Sequence, residues 1–182
     1  MNIAILSGSP RNNSLTVRVA LHLQTYLKTH YPQHNIELVD LRQNYLPPVQ
    51  TPFASIEQTP DKWQDLATTM FNAEAFILVS PEYNGSYSPA MKNLLDHFPK
   101  FTRRVFAIAT ASPGAMGGMR AAMQMQQMVA AFFGILVPQM LVVPTIDKKF
   151  DEQGKLIDAG FEKSIQNFIH EFMWLSEAIT KK

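Results

Sequence analysis

The chain has 182 residues, of which 46% are hydrophobic, enough for a substantial core and within the usual range for one domain. Its 16 Lys and Arg residues nearly balance 15 Asp and Glu residues, which argues against a nucleic-acid-binding protein. There is no cysteine, so disulfides, thiolate catalysis and cysteine-based metal sites are excluded. No basic segment precedes the first apolar run, and no apolar stretch approaches the roughly 20 residues of a membrane span. We therefore predict one soluble, cytoplasmic domain over residues 1–182, with neither a nucleic-acid nor a membrane partner.

Five segments have the composition of strands. Ile3–Ser7, Ala75–Ser80, Val105–Thr110 and Ile135–Val143 are nearly continuous in apolar residues, and Ile36–Leu41 is shorter and more mixed. Continuous apolar runs are typical of parallel strands that are covered on both faces, and a mixed run is typical of an outer strand.

Helical spacing of apolar residues separates these strands. The helical patterns cover Leu15–Leu27, Trp63–Met70, Met91–Phe98, Met119–Phe133 and Ile157–Ile179. This alternation predicts an α/β fold, with a doubly wound five-stranded parallel sheet and helices on both faces. A proline-rich connection runs from residue 42 to residue 60, and a glycine at position 154 predicts a turn or small hairpin before the last helix.

The loop after the first strand is rich in hydrogen-bond donors. Gly8 to Thr16 contains three hydroxyl residues, two asparagines and Arg11, and it leads directly into a helix. A helix N-terminus and an arginine both favour phosphate groups. The loop lacks the Gly-Lys-Ser/Thr of a Walker motif and the spacing of a dinucleotide-binding turn. We predict a site for a phosphate monoester, in which Ser14 could also cap the helix.

The loop after the Ala75–Ser80 strand combines amides with aromatic rings. Asn84-Gly85 is a turn signal, and Ser88-Pro89 predicts an N-cap followed by proline at the first helical position. Backbone groups here could read the edge of a flat heterocycle while Tyr83 packs nearby. An ordinary strand-to-helix turn is the alternative interpretation.

A third loop, from Ala111 to Arg120, carries three glycines within five positions. Glycine permits close approach of the backbone to a ligand, although a merely flexible loop would also contain it. Loops that leave the carboxyl ends of parallel strands gather at one edge of the sheet. The three loops together therefore predict one ligand-binding crevice.

The same segments resemble the motifs of the NADPH-dependent FMN reductases, a flavodoxin-like group with azoreductase, quinone reductase and chromate reductase members. They read Gly8-Ser-x-Arg-x-x-Ser14, Pro81-Glu-Tyr-Asn-Gly-Ser-Tyr-Ser-Pro-Ala-Met-Lys-Asn-Leu-Leu-Asp96 and Gly114-x-x-Gly-Gly118. Their order and spacing are retained along nearly the whole chain. Thr16 stands where asparagine is usual, and His97 replaces a common tryptophan.

The resemblance implies a noncovalently bound FMN and an enzyme that passes hydride from NAD(P)H, through FMN, to a small electron acceptor. The acceptor could be a quinone, an azo compound, a flavin or a metal ion, and no side chain need act catalytically. The FMN phosphate would be held by Ser9, Arg11, Ser14 and Thr16. The ring and ribityl chain would be bordered by Pro81, Glu82, Tyr83, Asn84, Gly85 and Ser86. The other edge of the ring would meet Ser112, Gly114, Gly117 and Gly118.

The Met119–Phe133 helix is largely apolar, with Arg120, Gln124 and Gln127 among its few polar residues. A surface helix normally presents more polar area, so we predict that its second face packs on another subunit. The family resemblance implies a homodimer or homotetramer, which agrees. We also expect the N–H groups at the start of this helix to stabilise the negative charge of reduced flavin.

Two other functions remain open from the sequence. One is a flavodoxin-type FMN electron carrier, against which the balanced charge argues. The other is a binding or regulatory protein: either one that keeps the fold but has lost the cofactor, against which the intact phosphate loop argues, or a flavin-binding regulator without direct NAD(P)H activity. The five histidines show no metal-ligand spacing, so no metal site is predicted.

Overall fold

A computed structural model describes residues 1–180, and the last two residues of the predicted domain lie outside this range. The strands are β1 Asn2–Ser7, β2 Asn35–Asp40, β3 Ala75–Ser80, β4 Glu82–Tyr83, β5 Ser86–Tyr87, β6 Val105–Ala111, β7 Ile135–Leu136 and β8 Leu141–Val143. The helices are α1 Thr16–His30, α2 Gln64–Asn72, α3 Pro89–Asp96, α4 Met119–Ala131 and α5 Glu162–Thr180. Single 3-10 turns span Asp61–Trp63, Ile146–Lys148 and Ala159–Phe161.

The main sheet is parallel and has the order β2-β1-β3-β6-β7, with β8 pairing farther along β6. After β2 forms on one side of β1, the chain crosses and builds β3 on the other side. The winding direction therefore reverses between β1 and β3, and ligands bind at such reversals in open α/β sheets. The predicted doubly wound α/β fold is confirmed.

Apolar clusters cover both faces of the sheet. One cluster joins β-strand residues such as Ile5 and Ile77 to α1 and α5, and the other joins Leu6 and Leu78 to α2, α3 and α4. Successive strand residues point to opposite faces, so each central strand contributes to both clusters. This two-sided burial explains why the central strands read as continuous apolar runs.

The prediction of one strand over Ile135–Val143 is wrong in detail. The structure divides this segment into β7 and β8, which occupy the same edge of β6. The Val137 N–H still donates to the Phe106 carbonyl at 2.8 Å, but Pro138 follows and has no N–H to continue the ladder. Within residues 1–180, the sheet therefore has six strands in five positions.

The last helix begins later than its apolar periodicity predicts. It starts at Glu162, whereas Ile157 lies outside it and is 56% exposed. The Ile157 N–H donates to the Lys149 carbonyl at 2.8 Å, and the Asp158 carboxylate accepts the Gly160 N–H at 3.0 Å to start a separate 3-10 turn. These local hydrogen bonds override the periodicity.

Residues 42–60 form the predicted irregular connection, which two residues of α3 and its C-terminal end, Asn93 and His97, attach to the fold. The Asn93 amide accepts the Val49 N–H and donates to the Leu46 and Pro47 carbonyls at 2.9–3.0 Å. His97 is buried, its Nδ1 lies 2.8 Å from the Asn93 carbonyl, and its carbonyl accepts the Phe53 N–H. His97 thus holds the connection against the end of α3.

The turn predicted at Gly154 is present, with a single antiparallel bridge between Phe150 and Leu156. A Cβ at Gly154 would lie 2.7 Å from the Arg18 carbonyl, so this turn rests directly on α1. His22 of α1 is half-buried here, and its Nδ1 lies 3.0 Å from the Gly154 carbonyl. Burial lowers the pKa of His22 below its usual 6.5, which the hydrogen bond to Gly154 only partly offsets.

We expect acid to weaken the fold through His22. Between its lowered pKa and 6.5 the unfolded chain binds this proton more readily than the folded chain, so the free energy of unfolding falls as pH drops through that window. His22→Gln should flatten this part of the profile, because glutamine can still donate to Gly154 but does not titrate. Urea unfolding of both proteins between pH 5 and pH 8 measures the effect, and parallel profiles would contradict it.

Among the described residues, no helix is long and apolar enough to cross a lipid bilayer.

Candidate functional site

A cleft lies at the carboxyl ends of β1, β3 and β6, where the three predicted loops converge. Its lining includes eight predicted site residues from all three loops: Ser9, Arg11, Ser14, Thr16, Pro81, Glu82, Tyr83 and Ser112. Asn13, Leu15, Ala111 and Pro113 complete the lining. A larger cavity of about 480 Å³ between α1 and the Gly154 turn contains none of the predicted site residues. The cleft is therefore the candidate site.

The first loop places two donors beside an aromatic ring. Ser9 is buried, and its Oγ lies 3.5 Å from both the Tyr83 hydroxyl and the Arg11 N–H. The Arg11 guanidinium lies over the Tyr83 ring, 4.3 Å from its centroid, which is a cation–π contact. The Ser9 contacts are long for hydrogen bonds, so its hydroxyl retains the capacity to bind an anion.

Ser14 caps α1, as the sequence allowed. Its Oγ accepts the Val17 N–H at 3.3 Å, at the helix start. A serine hydroxyl accepts and donates at the same time, so this cap leaves the Ser14 proton free to reach a ligand in the cleft. The capping and phosphate-binding interpretations of Ser14 are therefore compatible.

Hydrogen bonds of Ser80 and Ser88 connect the first and second loops. This role was not predicted from the sequence. The Ser88 hydroxyl donates to the Gly8 carbonyl and also accepts the Met91 N–H at 3.1 Å, as the predicted N-cap of α3. The Ser88 N–H in turn donates to Ser80 Oγ at 3.1 Å. A hydroxyl residue at the end of an apolar strand could have indicated this role for Ser80. These bonds fix the spacing of the two cleft walls.

The second loop folds into a hairpin, β4–β5, with a two-residue turn. Asn84 and Gly85 both have positive φ, 50° and 84°, as a type I′ turn requires. Ser86 Oγ donates to the Gln124 side chain of α4 at 2.6 Å. Of the six residues predicted from this loop, the cleft lining includes Pro81, Glu82 and Tyr83 but not the turn residues or Ser86.

The adjacent Tyr87, in β5 of the hairpin, is half-buried. Burial raises the pKa of its phenol above 10, and the nearby Asp96 carboxylate raises it further. Asp96 is itself paired with Lys92 at 2.5 Å, as expected from their spacing on α3. The phenol of Tyr87 therefore remains neutral at physiological pH.

In the third loop, Ser112 and Pro113 reach the cleft, whereas the glycines pack against the protein itself. A Cβ at Gly117, where φ is 60°, would lie 2.8 Å from the Pro144 nitrogen and 2.9 Å from the Val143 carbonyl carbon. A Cβ at Gly118 would lie 3.0 Å from Thr110. Neither of these two glycines, nor Gly114, lines the cleft. Close approach of the chain to β6 and β8 is what requires glycine here.

The start of α4 is already occupied by a side chain of this protein. Gly118 precedes the helix and has no side chain with which to cap it. The Arg120 N–H instead donates to Glu82 Oε2 at 3.1 Å, and the Arg120 guanidinium lies 3.5 Å from Glu82 Oε1. One of the N–H groups expected to stabilise reduced flavin, that of Arg120, therefore already donates to the Glu82 carboxylate.

The donor set of the cleft fits FMN. Hydroxyls, the Arg11 guanidinium and the start of α1 supply what a phosphate needs at one end. Pro81, Tyr83 and Pro113 supply flat, apolar surface along the rest of the cleft. No group of three or more His, Asp or Glu side chains within residues 1–180 is placed to hold a metal ion.

Solved structures with the same architecture include flavodoxins and oxidoreductases. The NAD(P)H:(acceptor) oxidoreductase FerB from Paracoccus denitrificans aligns with a TM-score of 0.71 at 21% identity, over 97% of each chain. An oxidoreductase from Corynebacterium diphtheriae aligns with a TM-score of 0.74 at 14% identity, covering 100% of this chain and 97% of that one. A flavodoxin mutant from Pseudomonas aeruginosa scores 0.57 at 18% identity, over 95% and 99%. These likenesses define a flavodoxin-like fold.

Sequence comparison is more specific. Residues 1–148 match the model of the NADPH-dependent FMN reductases, so the chain belongs to this family. It is 29% identical to an FMN-dependent NADPH-azoreductase of Staphylococcus saprophyticus, over 81% of this chain and 80% of the relative. It is 27% identical to the protein of that name from Staphylococcus aureus, over 93% and 92%. The predicted oxidoreductase that uses NAD(P)H and FMN is confirmed over the flavodoxin-type alternative.

Proposed function

We propose that the chain is a cytoplasmic reductase acting as a single domain, with FMN bound in the cleft at the β1/β3 reversal. The convergence of three loops on this cleft is the observation that carries the proposal. When bound, FMN accepts hydride from NAD(P)H and passes electrons to the acceptor. The protein supplies binding and electrostatics, and no side chain need form a covalent bond.

The phosphate of FMN would bind to Ser9, Arg11, Ser14 and Thr16. Two of these, Ser9 and Thr16, are almost fully buried, at 3% exposure, so their hydroxyls are held by the fold before a ligand arrives. Preorganised donors bind an anion without a large cost in side-chain entropy. The flavin ring would lie between Pro81 to Tyr83 on one side and Ser112 and Pro113 on the other.

The acceptor that we propose to test first is an azo compound, followed by quinones. Two relatives that match most of this chain are named FMN-dependent NADPH-azoreductases. Their names support this choice of acceptor. Free flavin and metal ions are the remaining acceptor classes.

The proposal is tested by adding NADPH anaerobically to the protein reconstituted with FMN. Loss of the flavin absorbance within seconds is expected, followed by its recovery when an azo dye is added. Flavin that binds but is not bleached without a partner protein would contradict the enzymatic proposal. Failure to bind FMN would contradict the assignment of the cleft.

We further propose a homodimer or homotetramer in which the outer face of α4 is covered. Met116, Met119 and Met123 are 55%, 39% and 51% exposed at the start of α4, a large apolar area next to the hairpin. The cleft measures about 170 Å³, less than the roughly 300 Å³ at which ligand-burying pockets begin. A second subunit would enlarge it.

We expect Met123→Lys to shift the assembly towards monomer, because burial of an unpaired ammonium in an apolar interface is costly. Light scattering at micromolar concentration measures the mass, with Ile157→Lys as a control at another exposed apolar residue. A monomeric wild-type protein, or an unchanged mass for Met123→Lys, would contradict the proposed interface.

A further inference from the structure

The pair formed by Glu82 and Arg120 is the charged feature at the cleft that FMN binding leaves unexplained. Glu82 lines the cleft, and its carboxylate accepts the Arg120 N–H at 3.1 Å while facing the Arg120 guanidinium at 3.5 Å. The side chain of Glu82 is 17% exposed, and that of Arg120 is 64% exposed. A carboxylate at a helix N-terminus is favourable for the helix, but this position also puts opposite charges beside the candidate flavin site.

We propose that the Glu82–Arg120 pair sets the reduction potential of the bound flavin by balancing the charge at this wall of the cleft. The inference rests on the proposed function, because it assigns a role towards FMN in the same cleft. Two-electron reduction of a flavin with uptake of one proton adds one negative charge to its ring. Glu82 opposes that charge, and Arg120 favours it. In the intact pair the two effects partly cancel, and removal of either charge alone shifts the potential.

The two members of the pair should not contribute equally. The interaction of a buried charge is screened less by water and salt than that of an exposed charge at similar distance. Glu82 is the more buried partner and lines the cleft itself. Removing its charge should therefore have the larger effect, and removing the charge of Arg120 should have a smaller effect of opposite sign.

The hairpin has a second attachment to α4 besides this pair. Ser86 Oγ donates to Gln124 at 2.6 Å, which joins the hairpin to α4 independently of Glu82. In Glu82→Gln the side-chain oxygen can still accept the Arg120 N–H, so the variant removes charge and retains the local hydrogen bond.

The test measures the midpoint potential of FMN in the holoprotein, together with its dissociation constant in the oxidised state. In Glu82→Gln, we expect the affinity for reduced FMN relative to oxidised FMN to rise about tenfold, which corresponds to roughly +30 mV for a two-electron couple. In Arg120→Gln, we expect a smaller negative shift that diminishes as salt is raised. Glu37→Gln, an exposed carboxylate on β2, changes net charge equally and should leave the potential unchanged.

Opposite shifts in the two variants support the proposal, because a merely structural role would not reverse sign. Unchanged potentials, or shifts in the same direction, would overturn it without contradicting the proposed function. If Glu82→Gln does not fold, the sign and salt dependence of the Arg120→Gln shift decide alone. Failure of the wild-type protein to bind FMN would instead overturn the proposed function, and this inference with it.

Discussion

Replacement of Arg11 by glutamine is expected to weaken FMN binding by about 10- to 100-fold, the usual worth of a charge-assisted hydrogen bond to phosphate. The guanidinium of Arg11 stacks over Tyr83, so it is held at the cleft before the ligand arrives. Glutamine retains a donor but loses both the charge and the forked geometry that matches a phosphate.

Riboflavin provides the decisive comparison, because it has the same ring and ribityl chain but no phosphate. Arg11→Gln should weaken FMN binding and leave riboflavin binding almost unchanged, as measured by quenching of flavin fluorescence. Lys28→Gln, which removes one positive charge from the far end of α1, is the matched control and should change neither. Equal losses for FMN and riboflavin in Arg11→Gln would show that Arg11 does not bind the phosphate.

Replacement of Gly117 by alanine is expected to lower the free energy of unfolding by about 2–4 kcal/mol. Gly117 has φ 60°, which disfavours any residue with a Cβ, and its added methyl would lie 2.7 Å from Val142 and 2.8 Å from the Pro144 nitrogen. A backbone atom cannot yield as a flexible side chain does. The third loop must therefore move away from β8, or the fold must lose this contact.

Gly114→Ala is the control within the same loop. Its added Cβ would meet the Ser112 hydroxyl at 3.3 Å, and its φ is not in the left-handed region. We expect the free energy of unfolding to change by less than about 1 kcal/mol in this variant. Urea unfolding of the three proteins measures the difference, and equal stability of the two variants would contradict the packing role of Gly117.

Much of the fold follows from the sequence because local periodicity and burial agree. β1, β3 and β6 are continuous apolar runs, and the topology covers both of their faces. The predicted bounds of the last strand and of the last helix were wrong because a missing N–H donor or a local hydrogen bond competes with the apolar periodicity there. Pro138 divides the last strand, and the Asp158 cap delays the last helix past Ile157.

The candidate site was predicted less completely than the fold. Serine and arginine in a loop before a helix are sufficient to indicate an anion site, and Ser9 and Arg11 indeed lie in the cleft. The glycines of the third loop give no such information, because glycine is required equally by a ligand and by a neighbouring strand. Gly117 proved to face Val143 and Pro144.

The sequence by itself determined the alternation of strands and helices, the family and the chemistry of its cofactor, since these depend on residue types at fixed spacing. Only the tertiary structure decided that Ser88 ties the first loop to the second and that Glu82 occupies the start of α4. Gly8 and Ser88 lie 80 positions apart, and Glu82 and Arg120 lie 38 apart. Such contacts depend on the order and register of the strands, which no local pattern of residues contains.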